Sequence, residues 1–191
     1  MSRKFFETEL GPHALEIDKQ DHFEGFGDFM VKCGEMGFHG MTVPEEFGGT
    51  AMGYLNAAIM AEEGGRVAAG VTMSMGAHQN LCINQLVRNA SNQQKEEFLP
   101  ELLAGRQIGA LAMTETGAGS DVMSMKTTAV KNADYYTING SKFWITNGPI
   151  ADKLILYAKT DPTSKGGKSL TAFLVDTDTD GFSGRAFQIL E

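Results

Sequence analysis

Apolar residues in the first hundred positions recur at three- and four-residue spacing, the mark of helices with one buried face. Phe23, Phe26, Met30, Val31 and the run from Cys33 to Met36 predict one such helix. Gly37, Gly40, Pro44 and Gly48-Gly49 then mark a loop, and a second helical run begins near Ala51 with Ala57, Ala58, Met60 and Ala61. It leads into a stretch from Val67 to Val87 that contains no Asp, Glu, Lys or Arg. Ser74, His78, Gln79, Asn80, Asn84 and Gln85 make that stretch too polar for lipid, so it reads as a helix buried in protein. Ser91 with Gln94 forms a capping box for SNQQKEEFLPELLAG, with Gly105 as its C-terminal cap and Pro100 as a point of bending.

After about residue 106 the period changes. TTAVKNADYYTING alternates and is rich in Thr, Val, Tyr and Ile, and SKFWITNG follows. Asn139-Gly140 and Asn147-Gly148 stand where Asn-Gly between β-rich runs signals hairpins. LILYAKT and SLTAFLVDT predict two more strands across the loop DPTSKGGK. The expected class is α+β: an all-α helical domain over 1–107, then an antiparallel β-barrel-like domain over 108–191, with no βαβ alternation.

Composition narrows the function. The 191 residues carry a net charge of −8 with no basic stretch, which argues against a nucleic-acid partner. Cys33 and Cys82 belong to no CxxC, and His13, His22, His39 and His78 have no ligand spacing, so no metal site is expected. The start, MSRKFFETELGPH, lacks the apolar core of a signal peptide.

The chemistry concentrates in GALAMTETGAGSD, residues 109–121, where an apolar run breaks into small hydroxyl residues, two glycines and two acids. Gly117 and Gly119 begin a GxG, but Val122 holds the third glycine position, so a dinucleotide fold is not indicated. PTSKGGKS ends like a phosphate loop, yet Pro162 holds its first glycine position. Ser120 has no GxSxG setting. Glu115 and Asp121 could be paired carboxylates, although acids among glycines more commonly cap turns and bind backbone N–H groups. The hydroxyls of Thr114, Thr116 and Ser120, beside glycines that admit close approach, suit a polar, planar or phosphorylated ligand.

GALAMTETGAGSDVMSMK, followed by YTINGSKFWITNGPIADKLILYAKTD, resembles the signature of the acyl-CoA dehydrogenase family. Ala112-Met113-Thr114-Glu115, Gly119-Ser120-Asp121, Ser124 and Trp144-Ile145-Thr146-Asn147-Gly148 carry the likeness, which extends from about residue 12 to residue 182 and includes EEFGG. Thr116 departs from it, standing where Pro is common. GAHQNLCINQLVRNAS and KFWITNGPIADKLILYAKTD bring the likeness nearest to the isovaleryl type of that family.

The resemblance implies FAD, held by Leu111, Ala112, Met113, Thr114, Gly119 and Ser120 together with Trp144, Ile145 and Thr146. Thr114 would bond the pyrimidine edge of the isoalloxazine, Thr146 would lie beside N5 and O4, and Trp144 would pack on the ring face. Ser120 would also contact the CoA part of the substrate, and Met73 and Ala77 would line the acyl pocket. Without the motif, Trp144 reads as a core aromatic of a hairpin and the threonines as ordinary strand residues. The implied reaction is α,β-dehydrogenation of a short branched acyl-CoA of the kind met in leucine degradation. Electrons would pass to an electron-transferring flavoprotein.

The family also implies a homotetramer, no membrane insertion, and a location in a bacterial cytoplasm or a mitochondrial matrix. Its catalytic glutamate lies in a C-terminal helical domain, so no catalytic residue is expected within this chain. The chain is expected to stop before its β domain is complete and to be inactive alone. Two other readings share the scaffold: a flavin monooxygenase or oxidase, and a non-catalytic binding protein.

Overall fold

The computed structural model describes residues 1–161, 163–164 and 166–186. Pro162 of the phosphate-loop-like segment and the last five residues of DGFSGRAFQILE lie outside them. The chain divides into two compact units, Met1–Ile108 and Gly109–Glu191.

The first unit is helical: α1 Ser2–Glu9, α2 Ala14–Gln20, α3 Phe26–Glu35, α4 Gly53–Gly76, α5 Asn84–Asn89 and α6 Asn92–Leu103. Its core joins Phe6 and Leu10 to Phe29, Met30, Cys33, Phe38, Met60, Val71 and Met75. The rings of Phe6 and Phe38 stack at 5.7 Å, and Phe5 meets Phe38 edge-on at 5.1 Å. α6 begins with the predicted capping box, both bonds being present at Ser91 and Gln94. Gly105 follows its C-terminal end at φ 72°, and a Cβ there would come within 2.2 Å of the Met30 carbonyl oxygen, so only glycine fits. Pro100 is accommodated inside α6, which runs on to Leu103.

The uncharged stretch is less regular than a single buried helix. α4 breaks at Ala68 (φ −152°, ψ 98°), where the Thr72 hydroxyl donates to the Ala68 carbonyl. A π-helical segment, Ala77–Ile83, then leads into α5. Val71, Thr72, Met75, Ala77, His78, Gln79, Cys82, Ile83 and Leu86 are buried, whereas Met73 is 67% exposed and Leu81 also faces outward. The absence of charge therefore reflects one buried face, not burial all round.

That face encloses polar groups. His39 and His78 meet edge-on at 4.6 Å, both fully buried. His39 Nε2 donates to the Met30 carbonyl (2.8 Å) and His78 Nε2 to the Leu102 carbonyl (2.9 Å), since a carbonyl can only accept. The Gln79 amide donates to the Phe38 carbonyl and to His39 Nδ1, which fixes His39 as the neutral Nε2–H tautomer.

The described residues of the second unit form a five-stranded sheet: β1 Gly109–Ala112, β2 Thr128–Lys131, β3 Tyr136–Asn139, β4 Lys153–Lys159 and β5 Leu170–Asp176. The α+β class holds, but the sheet is mixed rather than antiparallel. β1 runs parallel to β4 (Gly109 opposite Lys153), and β2 meets the end of β4 in parallel at Thr128 and Lys159. β2–β3 and β4–β5 are antiparallel. Ala110, Ala112, Ala129, Leu154, Leu156 and Ala158 form its core, against which Ile138, Ile145, Phe173 and Val175 pack.

The Asn-Gly signals mislead here. The β2–β3 hairpin closes through Asn132–Tyr135, with the Asn132 N–H donating to the Tyr135 carbonyl at 2.8 Å. Asn139-Gly140 instead ends β3, and SKFWITNG forms no strand. Trp144 (φ 57°) and Asn147 (φ 65°) take left-handed conformations that no regular ladder accepts.

The histidine pair makes the helical unit acid-sensitive. Burial pulls His39 down to about 4; burial and then neighbouring His39 pull His78 down to about 3, the backbone bonds acting in the opposite direction. An unfolded histidine titrates near 6.5, so below about that pH the unfolded chain binds more protons than the folded one. Stability is complete above pH 6.5 and declines as pH falls toward 4 and 3. Urea unfolding of this unit followed by circular dichroism should show its midpoint dropping across that window, with a smaller drop in His39→Gln.

Candidate functional site

The predicted site residues in the second unit fall on two segments that the fold sets side by side. β1 ends at Ala112, and Met113, Thr114 and Glu115 follow it directly. Phe143 donates its backbone N–H to the Thr114 carbonyl at 2.9 Å, and Asn147 Nδ2 donates to the Gly109 carbonyl at 3.3 Å. These hydrogen bonds of SKFWITNG are thus directed at β1 and the loop after it, and not at a hairpin partner.

Ala112 is buried; Leu111, Met113, Thr114 and Ile145 are half-buried; Gly119, Ser120 and Thr146 are exposed. Trp144 is 68% exposed, so the expectation of a core aromatic does not hold. Its ring leans on Phe143 at 4.8 Å. Glu115 and Ala118 exchange both backbone bonds (3.1 and 3.0 Å) around Thr116-Gly117, so the turn closes without the proline. A Cβ at Gly117 or Gly119 would meet nothing within 4 Å, leaving open space over the loop.

Glu115 is the electrostatic centre of this region. Its Oε1 accepts from the Thr127 N–H (2.9 Å), the Thr127 hydroxyl (2.5 Å) and Lys142 Nζ (3.0 Å), and its Oε2 from the Lys126 N–H (2.6 Å). Lys142 Nζ also donates to the Met113 carbonyl at 3.0 Å and touches Met125 Sδ at 3.6 Å. Burial raises the Glu115 carboxyl, but the bonds from Thr127, Lys126 and Lys142 outweigh it and hold the group down at about 2. Burial lowers the Lys142 ammonium while Glu115 pulls it back up.

A carboxylate so fully bonded is a poor proton acceptor, which leaves Glu115 a structural anion. The turn-binding expectation holds for it; the Asp121 side chain does not cap the turn that follows.

Lys142, Thr127 and Met125 were not legible as site residues. The one available signal was a lone lysine between Gly140 and Phe143 in a segment read as a β-rich run. Gly140 has its own reason: a Cβ there would lie 2.3 Å from Thr127 Oγ1.

Of the residues expected to line an acyl pocket, both in the first unit, Met73 projects outward and Ala77 is buried. Among the described residues no group of three or more His, Cys, Asp and Glu is placed to hold a metal ion. Among the same residues no helix is long and apolar enough to cross a membrane.

Residues 1–106 match the acyl-CoA dehydrogenase N-terminal domain, and residues 110–188 match the acyl-CoA dehydrogenase middle domain. The mitochondrial isovaleryl-CoA dehydrogenase of Pongo abelii is 50% identical over 184 residues, covering 94% of this chain and 43% of that protein. The chain therefore spans less than half the length of this curated relative. An acyl-CoA dehydrogenase structure from Geobacillus kaustophilus superposes with a TM-score of 0.90 at 36% identity, over 97% of this chain and 49% of that one. One from Bacillus anthracis, complexed with FAD, gives 0.85 at 35% identity, over 94% and 30%.

Replacing Gly140 by Ala should drive a methyl group into Thr127 and disturb the donors around Glu115. Overpacking of this kind costs about 1–3 kcal/mol. A chemical-denaturation curve for the β unit should shift by that amount; an unchanged curve would contradict the close packing.

Proposed function

The chain belongs to the acyl-CoA dehydrogenase family, and from that premise we propose that it binds FAD along the edge made by residues 111–120 and 144–146. The single observation that carries the reading is the Phe143 N–H bond to the Thr114 carbonyl, which sets Thr114 and Trp144 on adjoining segments.

The donor set fits an isoalloxazine. Thr114, Ser120 and Thr146 bring hydroxyls, and the segment is short of charge apart from the enclosed Glu115–Lys142 pair. An exposed indole offers an apolar face of the size of a fused ring, and the space over Gly117 and Gly119 is open. In this reading Thr114 bonds the pyrimidine edge, Thr146 lies near N5 and O4, Trp144 covers a face, and Ser120 contacts the CoA portion of the substrate.

When bound, the flavin supplies the hydride acceptor for α,β-dehydrogenation of an acyl-CoA thioester. The protein's part here is to place donors where negative charge collects on reduction and to exclude water with the indole. Glu115 has no part in removing the α-proton, because it is enclosed by four donors that hold its carboxyl down at about 2. The reaction, its short branched substrate of the isovaleryl class, and delivery of electrons to an electron-transferring flavoprotein are proposed for the whole protein. Likeness to isovaleryl-CoA dehydrogenase supports the substrate class. Met73, exposed on α4, is the better placed of the two acyl-contact candidates; buried Ala77 would set the room beside it.

Titrating the 191-residue chain with FAD should quench flavin fluorescence. Trp144→Ala should weaken binding by about three- to ten-fold, the worth of one aromatic contact. No uptake of FAD, or equal affinity in the variant, would refute the assignment. In the whole protein, isovaleryl-CoA should bleach the flavin faster than a straight short chain.

A further inference from the structure

We propose that the buried Glu115–Lys142 pair is the positioning device of the flavin site, setting the register between the edge that carries Thr114 and the segment that carries Trp144. The inference rests on the flavin reading above and deepens it by giving a role to two residues which that reading does not use.

The bonding brackets Thr114. Lys142 Nζ holds the Met113 carbonyl on one side of Thr114 and the Glu115 carboxylate on the other, both at 3.0 Å. The next residue, Phe143, holds the Thr114 carbonyl itself at 2.9 Å. Three consecutive residues of one segment are thereby tied to two consecutive residues of the other. At the entry to β2 the Thr127 N–H and hydroxyl anchor the same Glu115 oxygen that Lys142 bonds, and the Lys126 N–H anchors the other.

Depth and strain explain why charge is used. The two side chains are 9% and 7% exposed. A buried ion pair is a weak source of stability compared with an apolar pair of the same volume, but it is directional where an apolar contact can slide. A slip between the two segments would move Trp144 out of step with Thr114, whose carbonyl is bonded by the residue just before the indole. Trp144 also sits at φ 57°, a conformation disfavoured for a bulky residue unless its neighbours impose it. The ties at Lys142 and Phe143 lie immediately before it, and the Gly148 N–H bond to the Ile145 carbonyl (2.9 Å) lies just after.

The test compares Lys142→Met, Lys142→Arg and Glu115→Gln with a control, Val175→Ala, which trims the sheet core away from the pair. Two quantities are read on the 191-residue chain: hydrogen exchange at the Phe143 amide without flavin, and FAD affinity with the accompanying fluorescence quench. Lys142→Met should speed Phe143 exchange and weaken FAD, each about ten-fold or more, because small misplacements at a site are costly. Lys142→Arg should keep both near wild type, Glu115→Gln should fall between, and Val175→Ala should lower thermal stability while leaving both unchanged. Unchanged Phe143 exchange in Lys142→Met, or FAD losses that merely follow thermal stability across all variants, would overturn the proposal. If Lys142→Met does not fold, Glu115→Gln carries the comparison. Should the wild-type chain take up no FAD, the flavin reading fails, and the exchange measurement still decides whether the pair sets this register.

Discussion

A carboxylate removed from water must be surrounded by donors or give up its charge, and this requirement organises the second unit. Glu115 is met by two backbone N–H groups, a hydroxyl and an ammonium. Three of these donors come from Lys126 and Thr127 and the fourth from Lys142, so satisfying one side chain draws together the exit of β1, the entry of β2 and the segment after β3. The sheet supplies the platform, but strands alone would leave those loops free to diverge. Breaking such a pair by removing one partner costs about 3–5 kcal/mol, because the other charge is left buried.

The helical unit meets the same requirement differently. His39 and His78 are as deeply buried, yet they remain neutral, each giving its one ring hydrogen to a carbonyl. Gln79 completes the arrangement by donating to the bare nitrogen of His39. These carbonyls belong to Met30 in α3 and Leu102 in α6, so the rings connect helices that apolar packing alone would hold less specifically. The π-helical segment carries His78 and Gln79 on consecutive positions, and both are buried.

Much of this was legible in the chain. The capping box at Ser91 and Gln94, the glycine cap at Gly105, α3 and the β4–β5 pair all follow from local chemistry, and the structure contains each of them. The failures share a cause. Asn139-Gly140 looks like a turn because a hairpin is the commonest use of that pair, but Gly140 is needed for contact with Thr127, far back in the chain. SKFWITNG has strand composition, but its hydrogen bonds are taken by Thr114 and Gly109. Parallel pairing of β1 with β4 was equally hidden, since neither strand records its partner's direction. In the candidate site, hydroxyls, glycines and the tryptophan were visible as types. The lysine that ties them was not, because its role exists only once distant segments meet.

The position of β4 has a further consequence. It pairs with β1 and β2 along one edge and with β5 along the other, so among the described residues no other strand touches as many partners. During synthesis β1 emerges first and has nothing to pair with until residues 153–159 follow it out of the ribosome. In that interval its apolar GALA run is a bare ribbon, the kind of surface that invites chaperones or association between nascent chains. Assembly of the sheet is therefore a late and collective event, governed by the arrival of a single strand.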